Sequence, residues 1–141
     1  MPIDPILDPS SLARELSGRH LINGELVASQ SGKNFDVLNP ATGKVIGQAA
    51  DGDAQDVAIA VGVAKKAQKD WAERPARERG KLVAECGRVL MSHTEELGRL
   101  IALESGKALR TESRVEASVL ADMFVFFGGL ASELKGETVP F

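Results

Sequence analysis

Residues 78–109, ERGKLVAECGRVLMSHTEELGRLIALESGKAL, carry the pattern on which the fold prediction rests. The first half of this stretch spaces its apolar residues by one, three and four positions, which forms a stripe along one side of an α-helix. Such a helix needs a partner surface. The residues of this stripe are Leu82, Val83, Cys86, Val89 and Leu90.

The second half of the stretch predicts another helix. Ser92 is followed three residues later by Glu95, which is the capping-box pattern of a helix start. Apolar residues at helical spacing continue as far as Ile101. Gly106 then stands where helices commonly end with a residue at positive φ. The glycines of the preceding helix, Gly80 and Gly87, indicate close helix packing, since each costs about 1 kcal/mol relative to alanine in a helix.

Two short β-hairpins are predicted upstream. Asn23-Gly24 lies between HLI and ELV and is a favoured two-residue hairpin turn, because both central positions require positive φ. Residues 35–38 and 45–49 form the second predicted pair of strands. Hairpins this short are not stable alone in water, so both are expected to lie on a larger structure.

Further helices surround these elements. A short one is predicted after Ser10 or Ser11, and a longer one starts after Asp53 and ends before Pro75. The last helix, residues 109–135, has apolar residues on most of its circumference and is therefore predicted to be the most buried. The helix after Asp53 carries an apolar stripe of Val57, Ala60, Val61, Ala64, Ala67 and Trp71.

Composition excludes several classes of partner and location. The chain has 141 residues, 17 basic and 20 acidic, and no basic cluster, which argues against nucleic-acid binding. A single cysteine excludes an internal disulfide. The N-terminus, MPIDPILDPSS, lacks the basic and apolar regions of a secretory signal, and its acidic residues argue against a mitochondrial presequence. Residues 119–131 are too short to span a bilayer, which needs roughly 20 residues. We therefore expect a cytoplasmic protein without membrane contact.

Four stretches, taken together, resemble the N-terminal part of the NAD(P)-dependent aldehyde dehydrogenase family. They are LINGELV at 21–27, NPATGKVI at 39–46, the helix pair that closes in Glu-Ser-Gly-Lys at 104–107, and GGLASELKGETVP at 128–140. The resemblance implies an α/β parent fold with a Rossmann-type domain. Residues 1–19 would then be an N-terminal arm. Residues 20–141 would be the incomplete N-terminal part of the cofactor-binding domain, consisting of two hairpins followed by about four α-helices.

The resemblance also implies an activity for the parent protein. In this family a cysteine thiolate attacks an aldehyde to give a thiohemiacetal, a hydride passes to NAD or NADP, and a glutamate assists hydrolysis to the carboxylic acid. Expected partners are the remainder of the chain, a small-molecule aldehyde and further copies in a dimer or tetramer. The ending at Phe141 favours a segment that is inactive alone. No residue of this chain is assigned a catalytic, cofactor-binding or metal-binding role.

The residues with reactive side chains do not match the sequence pattern of a catalytic, metal or phosphate site. Cys86 lies in the middle of a helix on its apolar stripe, so it is predicted to be a buried core residue rather than the nucleophile. His20 and His93 are too few and too far apart for a metal site. Gly106-Lys107 lacks the preceding glycine of a phosphate-binding loop, since Ile101 stands there.

The remaining candidates lie on the last helices. Glu104, Glu112 and Glu116 are interpreted as solvated charges, with a structural or cation-contact role as the alternative for Glu104. Val119 and Met123 are interpreted as core-packing residues, with a place near the substrate entrance as the alternative if the family arrangement holds.

The sequence departs from the family pattern on the last helix, and it also allows an alternative function. Residues 125–129 read VFFGG where family members often have Arg-Tyr-Tyr-Ala-Gly, so two hydroxyls and a charge are missing. The alternative function is a self-contained, non-catalytic helical module for binding or scaffolding. Exposed apolar surface distinguishes the two, because a segment of a larger enzyme leaves its long helix uncovered on one side.

Overall fold

The computed structural model describes residues 9–133 and 135–140, which form a mixed α/β arrangement. Two antiparallel hairpins precede a group of helices, as the sequence predicts. In chain order the elements are α1 (Pro9–Glu15), β1 (His20–Ile22), β2 (Glu25–Val27), β3 (Asn34–Leu38), β4 (Val45–Ala50), α2 (Ala54–Glu73), α3 (Ala76–Ser92), α4 (Thr94–Ser105), a π-helix (Leu109–Ser113) and α5 (Arg114–Leu130).

Both predicted hairpins are confirmed. Strand β1 pairs with β2, with Leu21 opposite Leu26. The turn between them has positive φ at both central residues, 56° at Asn23 and 79° at Gly24, as a two-residue turn of this kind requires. Strand β3 pairs with β4, with an irregularity in register after Val37.

The second hairpin lies on a larger structure, as expected. Helix α1 packs against both β4 and α4. Ser17, just after α1, joins helix to strand, because its hydroxyl accepts a hydrogen bond from the Gln48 amide at 3.0 Å and donates one to the Ala13 carbonyl at 2.8 Å. The hairpin is therefore anchored through the short helix that precedes it.

Helix α2 begins with a capping box. The Asp53 carboxylate accepts from the amides of Gln55 and Asp56, and the Asp56 carboxylate accepts from the Asp53 amide. Within residues 9–133 and 135–140, α2 makes no extensive contact with another helix or strand. Its predicted apolar stripe is largely open, with Val57 60% and Val61 59% exposed.

The closest helix packing is between α3 and α5, and glycines make it possible. A Cβ on Gly80 would lie 2.3 Å from the Gly128 carbonyl oxygen, and one on Gly87 would lie 2.7 Å from the Ala121 carbonyl oxygen. The predicted close packing at these two glycines is confirmed. The fully buried apolar residues described are also small, namely Ala117 and Ala121 on α5.

The predicted capping box at Ser92 and Glu95 is wrong. Ser92 is the last residue of α3, and its hydroxyl donates to the Val89 carbonyl at 2.7 Å. Helix α4 starts at Thr94, and no side chain caps its start. Glu95 instead binds Arg99 and Arg114, and Arg114 is too distant along the chain for a local sequence pattern to reveal.

The last helix differs from its prediction in extent and burial. Its first residues, Leu109–Ser113, form a π-helix, and α5 ends at Leu130 rather than near Lys135. The prediction that it is the most buried helix is wrong for its large side chains, since Phe126 and Phe127 are each 59% exposed. Leu134, which the prediction placed in this helix, lies outside the described residues. No helix within the described ranges combines the length and apolar character needed to cross a bilayer.

Candidate functional site

Cys86 is exposed on α3, so its predicted burial is wrong. The reason is that the apolar stripe of α3 faces partly outward, with Leu82 and Val89 also exposed. A cysteine nucleophile needs a neighbouring base, a positive charge or a helix N-terminus to form its thiolate. Cys86 lies in the middle of α3, and no hydrogen bond to its thiol is formed by any residue the structure describes. Exposure alone does not make it reactive.

The two histidines lie in different parts of the fold. His93 is exposed between α3 and α4, where its Nδ1 lies 2.9 Å from Glu96 Oε2. His20 lies at the start of β1, and its buried Nε2 has no hydrogen-bond partner among the described residues. In that same part of the chain no three His, Cys, Asp or Glu side chains come together as a metal site would require.

A buried polar network joins the loop between the two hairpins to α2. Ser29 Oγ lies 2.9 Å from Asp56 Oδ2, and the Gln30 amide donates to Asp56 Oδ1 at 2.9 Å. The hydrogen bonds from the Gln30 and Asp53 amides lower the pKa of the Asp56 carboxyl, which stays charged although Asp56 is only 5% exposed. This network was not predicted from the sequence. The part of it on α2 had a local sequence signal, namely aspartates at the cap and third positions of the helix.

A second network joins α4 to α5. Arg114 donates from Nε and Nη2 to the two oxygens of Glu95, and Arg99 donates to Glu95 Oε1 at 2.9 Å. The hydrogen bonds from Arg114, with a smaller contribution from Arg99, lower the pKa of Glu95 to about 2. The i,i+4 spacing of Glu95 and Arg99 is visible in the sequence, but Arg114 lies 19 residues away along the chain. Both arginines are committed to one carboxylate, which indicates a structural role.

The Gly106-Lys107 turn does not form a phosphate site. Gly106 ends α4 with φ of 75°, as predicted, and a Cβ there would lie 2.9 Å from Pro40 Cγ. Lys107 Nζ forms an ion pair with Glu116 on α5. The turn therefore connects α4, the second hairpin and α5.

Glu104 lines a small cavity between α1, the second hairpin and α4. The cavity is about 150 Å³, and Glu104 is the only ionisable side chain in its lining among the described residues. One carboxylate is too few for a metal ion held by this part of the chain alone. Glu112 and Glu116 are exposed, which agrees with their interpretation as solvated charges. The apolar residues around this cavity are Ala13, Leu16, Val37, Ile46 and Leu100.

Val119 and Met123 lie one turn apart on an uncovered side of α5, and both are exposed. We call this side the open face of α5 and define it by Val119, Met123, Phe126, Phe127 and Leu130, each at least 42% exposed. Phe126 and Phe127 contact each other edge to face, with ring centroids 5.3 Å apart. A continuous exposed apolar surface of this kind is typical of a contact with another polypeptide segment or an apolar ligand.

Comparisons with known proteins place this arrangement in a family. The sequence profile of the aldehyde dehydrogenase family matches residues 26–141. The mitochondrial benzaldehyde dehydrogenase of Antirrhinum majus is 35% identical over 139 residues, a match that covers 97% of this chain and 26% of that protein. Aldehyde dehydrogenase family 2 member B4, mitochondrial, of Arabidopsis thaliana is 36% identical over 122 residues, covering 85% of this chain and 23% of that protein.

Solved structures that superpose on this chain indicate the same family as the sequence matches. The HpcC protein of Thermus thermophilus superposes with a TM-score of 0.86 at 30% identity, over 94% of this chain and 26% of that one. Betaine aldehyde dehydrogenase of Staphylococcus aureus, in complex with NAD+, superposes with a TM-score of 0.84 at 32% identity, over 93% of this chain and 26% of that one. The two hairpins and the helices are therefore an aldehyde dehydrogenase arrangement. The chain belongs to the aldehyde dehydrogenase family and spans about a quarter of the length of these relatives.

Proposed function

We propose that this chain is the N-terminal segment of an NAD(P)-dependent aldehyde dehydrogenase, and that the parent enzyme oxidises an aldehyde to a carboxylic acid. The observation that carries the proposal is the match to benzaldehyde dehydrogenase over 97% of this chain. The relatives matched in sequence are named for aldehyde oxidation, and one structural relative was solved with NAD+. Residues 20–141 would be the first part of the cofactor-binding domain.

The structural role of the segment, in this proposal, is to cover the rest of the enzyme. The stripe of α2 and the open face of α5 are apolar, yet residues 9–133 and 135–140 supply nothing that covers them. Leaving such surface in water is unfavourable by about 25 cal/mol for each Å². Segments of the parent outside these 141 residues would bury both surfaces. Val119 and Met123 belong to the open face of α5, so in the parent they would pack against such a segment; a place beside the substrate entrance is the alternative.

The chemistry is assigned to other segments of the parent. Oxidation through a cysteine thiohemiacetal needs an activated thiolate, and the Cys86 thiol has no activating partner among the described residues. A site for NAD or NADP needs a glycine-rich turn between a strand and a helix, whereas Gly128 and Gly129 lie within α5. In this proposal the NAD or NADP site therefore lies in other segments of the parent. The segment alone would be inactive.

The oligomeric state, the substrate and the location of the parent enzyme are also part of the proposal. Family membership favours a homo-oligomer, a dimer or a tetramer, with a small-molecule aldehyde as substrate. The cytoplasmic location predicted from the N-terminus also stays a prediction, and both curated relatives are named as mitochondrial proteins.

The test compares the 141-residue polypeptide with the natural polypeptide that carries these residues and its remaining segments. Each is purified and given an aldehyde with NAD or NADP, and formation of the reduced cofactor is followed. We expect turnover from the longer polypeptide only, with kcat unchanged by Cys86→Ser. Turnover by the 141-residue polypeptide that Cys86→Ser abolishes would overturn the assignment of the chemistry to other segments.

A further inference from the structure

We draw no further inference here: the strongest candidate, the open apolar face of α5 around Met123 and Phe127, belongs to the contact surface already proposed for the parent enzyme, and nothing in the described residues shows any other occupant.

Discussion

Arg114 on α5 holds Glu95 on α4 through two parallel hydrogen bonds, 2.6 Å from Nε to Oε2 and 2.7 Å from Nη2 to Oε1. Planar, two-point pairing of this kind is stronger and more directional than a single contact. It lies at a close approach of α4 and α5, since a Cβ on Gly98 would be 3.2 Å from the Arg114 Cα. The pair therefore fixes the start of α5 against α4.

This pair predicts an acid-sensitive contribution to stability. Arg114 lowers the pKa of Glu95 from 4.5 to about 2, so the folded state takes up this proton less readily than the unfolded state. The contribution is complete above the ordinary pKa of 4.5 and is lost as the pH falls towards 2. We expect the free energy of unfolding, measured by urea titration over this range, to fall more steeply for the wild-type chain than for Glu95→Gln.

Glu85→Gln is the matched control, because Glu85 pairs with Arg88 and both side chains are about 60% exposed. Exposed pairs contribute little to stability. We expect this variant to follow the wild-type pH dependence. Identical pH profiles for Glu95→Gln and the wild type would contradict the role given to the Arg114 pair.

The contact between α3 and α5 predicts a contrast between two adjacent glycines. A Cβ on Gly128 would lie 2.6 Å from the Gly80 carbonyl oxygen and 2.7 Å from the Ala84 amide nitrogen, whereas one on Gly129 would meet nothing within 4 Å. Gly128→Ala should destabilise by about 1 to 3 kcal/mol, since the helices must separate. Gly129→Ala should stabilise by up to about 1 kcal/mol through helix propensity. Urea unfolding followed by circular dichroism tests both, and equal stability of the two variants would refute the close packing.

The junction between α2 and the loop that connects the two hairpins predicts a local effect of Ser29→Ala. The change removes a hydroxyl 2.9 Å from the buried Asp56 carboxylate, and leaving a buried acceptor underpaired costs about 1 to 3 kcal/mol. The amide hydrogens of Gln30 and Asp53, which bind the same carboxylate, should then exchange faster with solvent. Ser132→Ala, at an exposed serine outside this network, is the control. Unchanged exchange rates in Ser29→Ala would show that the hydroxyl does not support this network.

The π-helix before α5 predicts a substitution that does no harm. Ser113 is fully buried, and its Oγ has no hydrogen-bond partner among the described residues. Ser113→Ala removes an unpaired buried hydroxyl with little change in volume. The free energy of unfolding should stay the same or rise by about 1 kcal/mol. A loss of similar size in the same urea titration would mean that the hydroxyl is hydrogen-bonded in the protein.

Features set by neighbouring residues could be predicted from the sequence. The Asn23-Gly24 turn, the start of α2 after Asp53 and the positive φ of Gly106 all depend on short-range geometry. The capping prediction at Ser92 failed for the opposite reason. Glu95 is bound by Arg114, and no pattern within one helix contains that long-range partner.

Burial was harder to predict than secondary structure. Apolar periodicity identified the apolar sides of α2, α3 and α5, but it does not say which segment covers them. In this structure the closest contacts between α3 and α5 lie at glycine and alanine residues, while Cys86 and Phe127 face outward. Periodicity treats these small residues as weak signals, although they allow the closest helix contact. That no residue of this chain has a catalytic, cofactor-binding or metal-binding role stays a prediction.

The central claim is that the apolar sides of α2 and α5 are contact surfaces for other segments of an aldehyde dehydrogenase. A variant and its control isolate the open face of α5. Phe127→Ser removes a 59% exposed aromatic side chain from this face, whereas Lys66→Gln changes the exposed polar side of α2.

The most direct measurement is the binding of a hydrophobic fluorescent dye to the purified 141-residue polypeptide and to the longer natural polypeptide at equal concentration. We predict strong dye binding and self-association for the 141-residue polypeptide, reduced by Phe127→Ser but not by Lys66→Gln, and weak binding for the longer one. A monodisperse 141-residue polypeptide that binds no dye would contradict the claim and indicate a self-contained helical module.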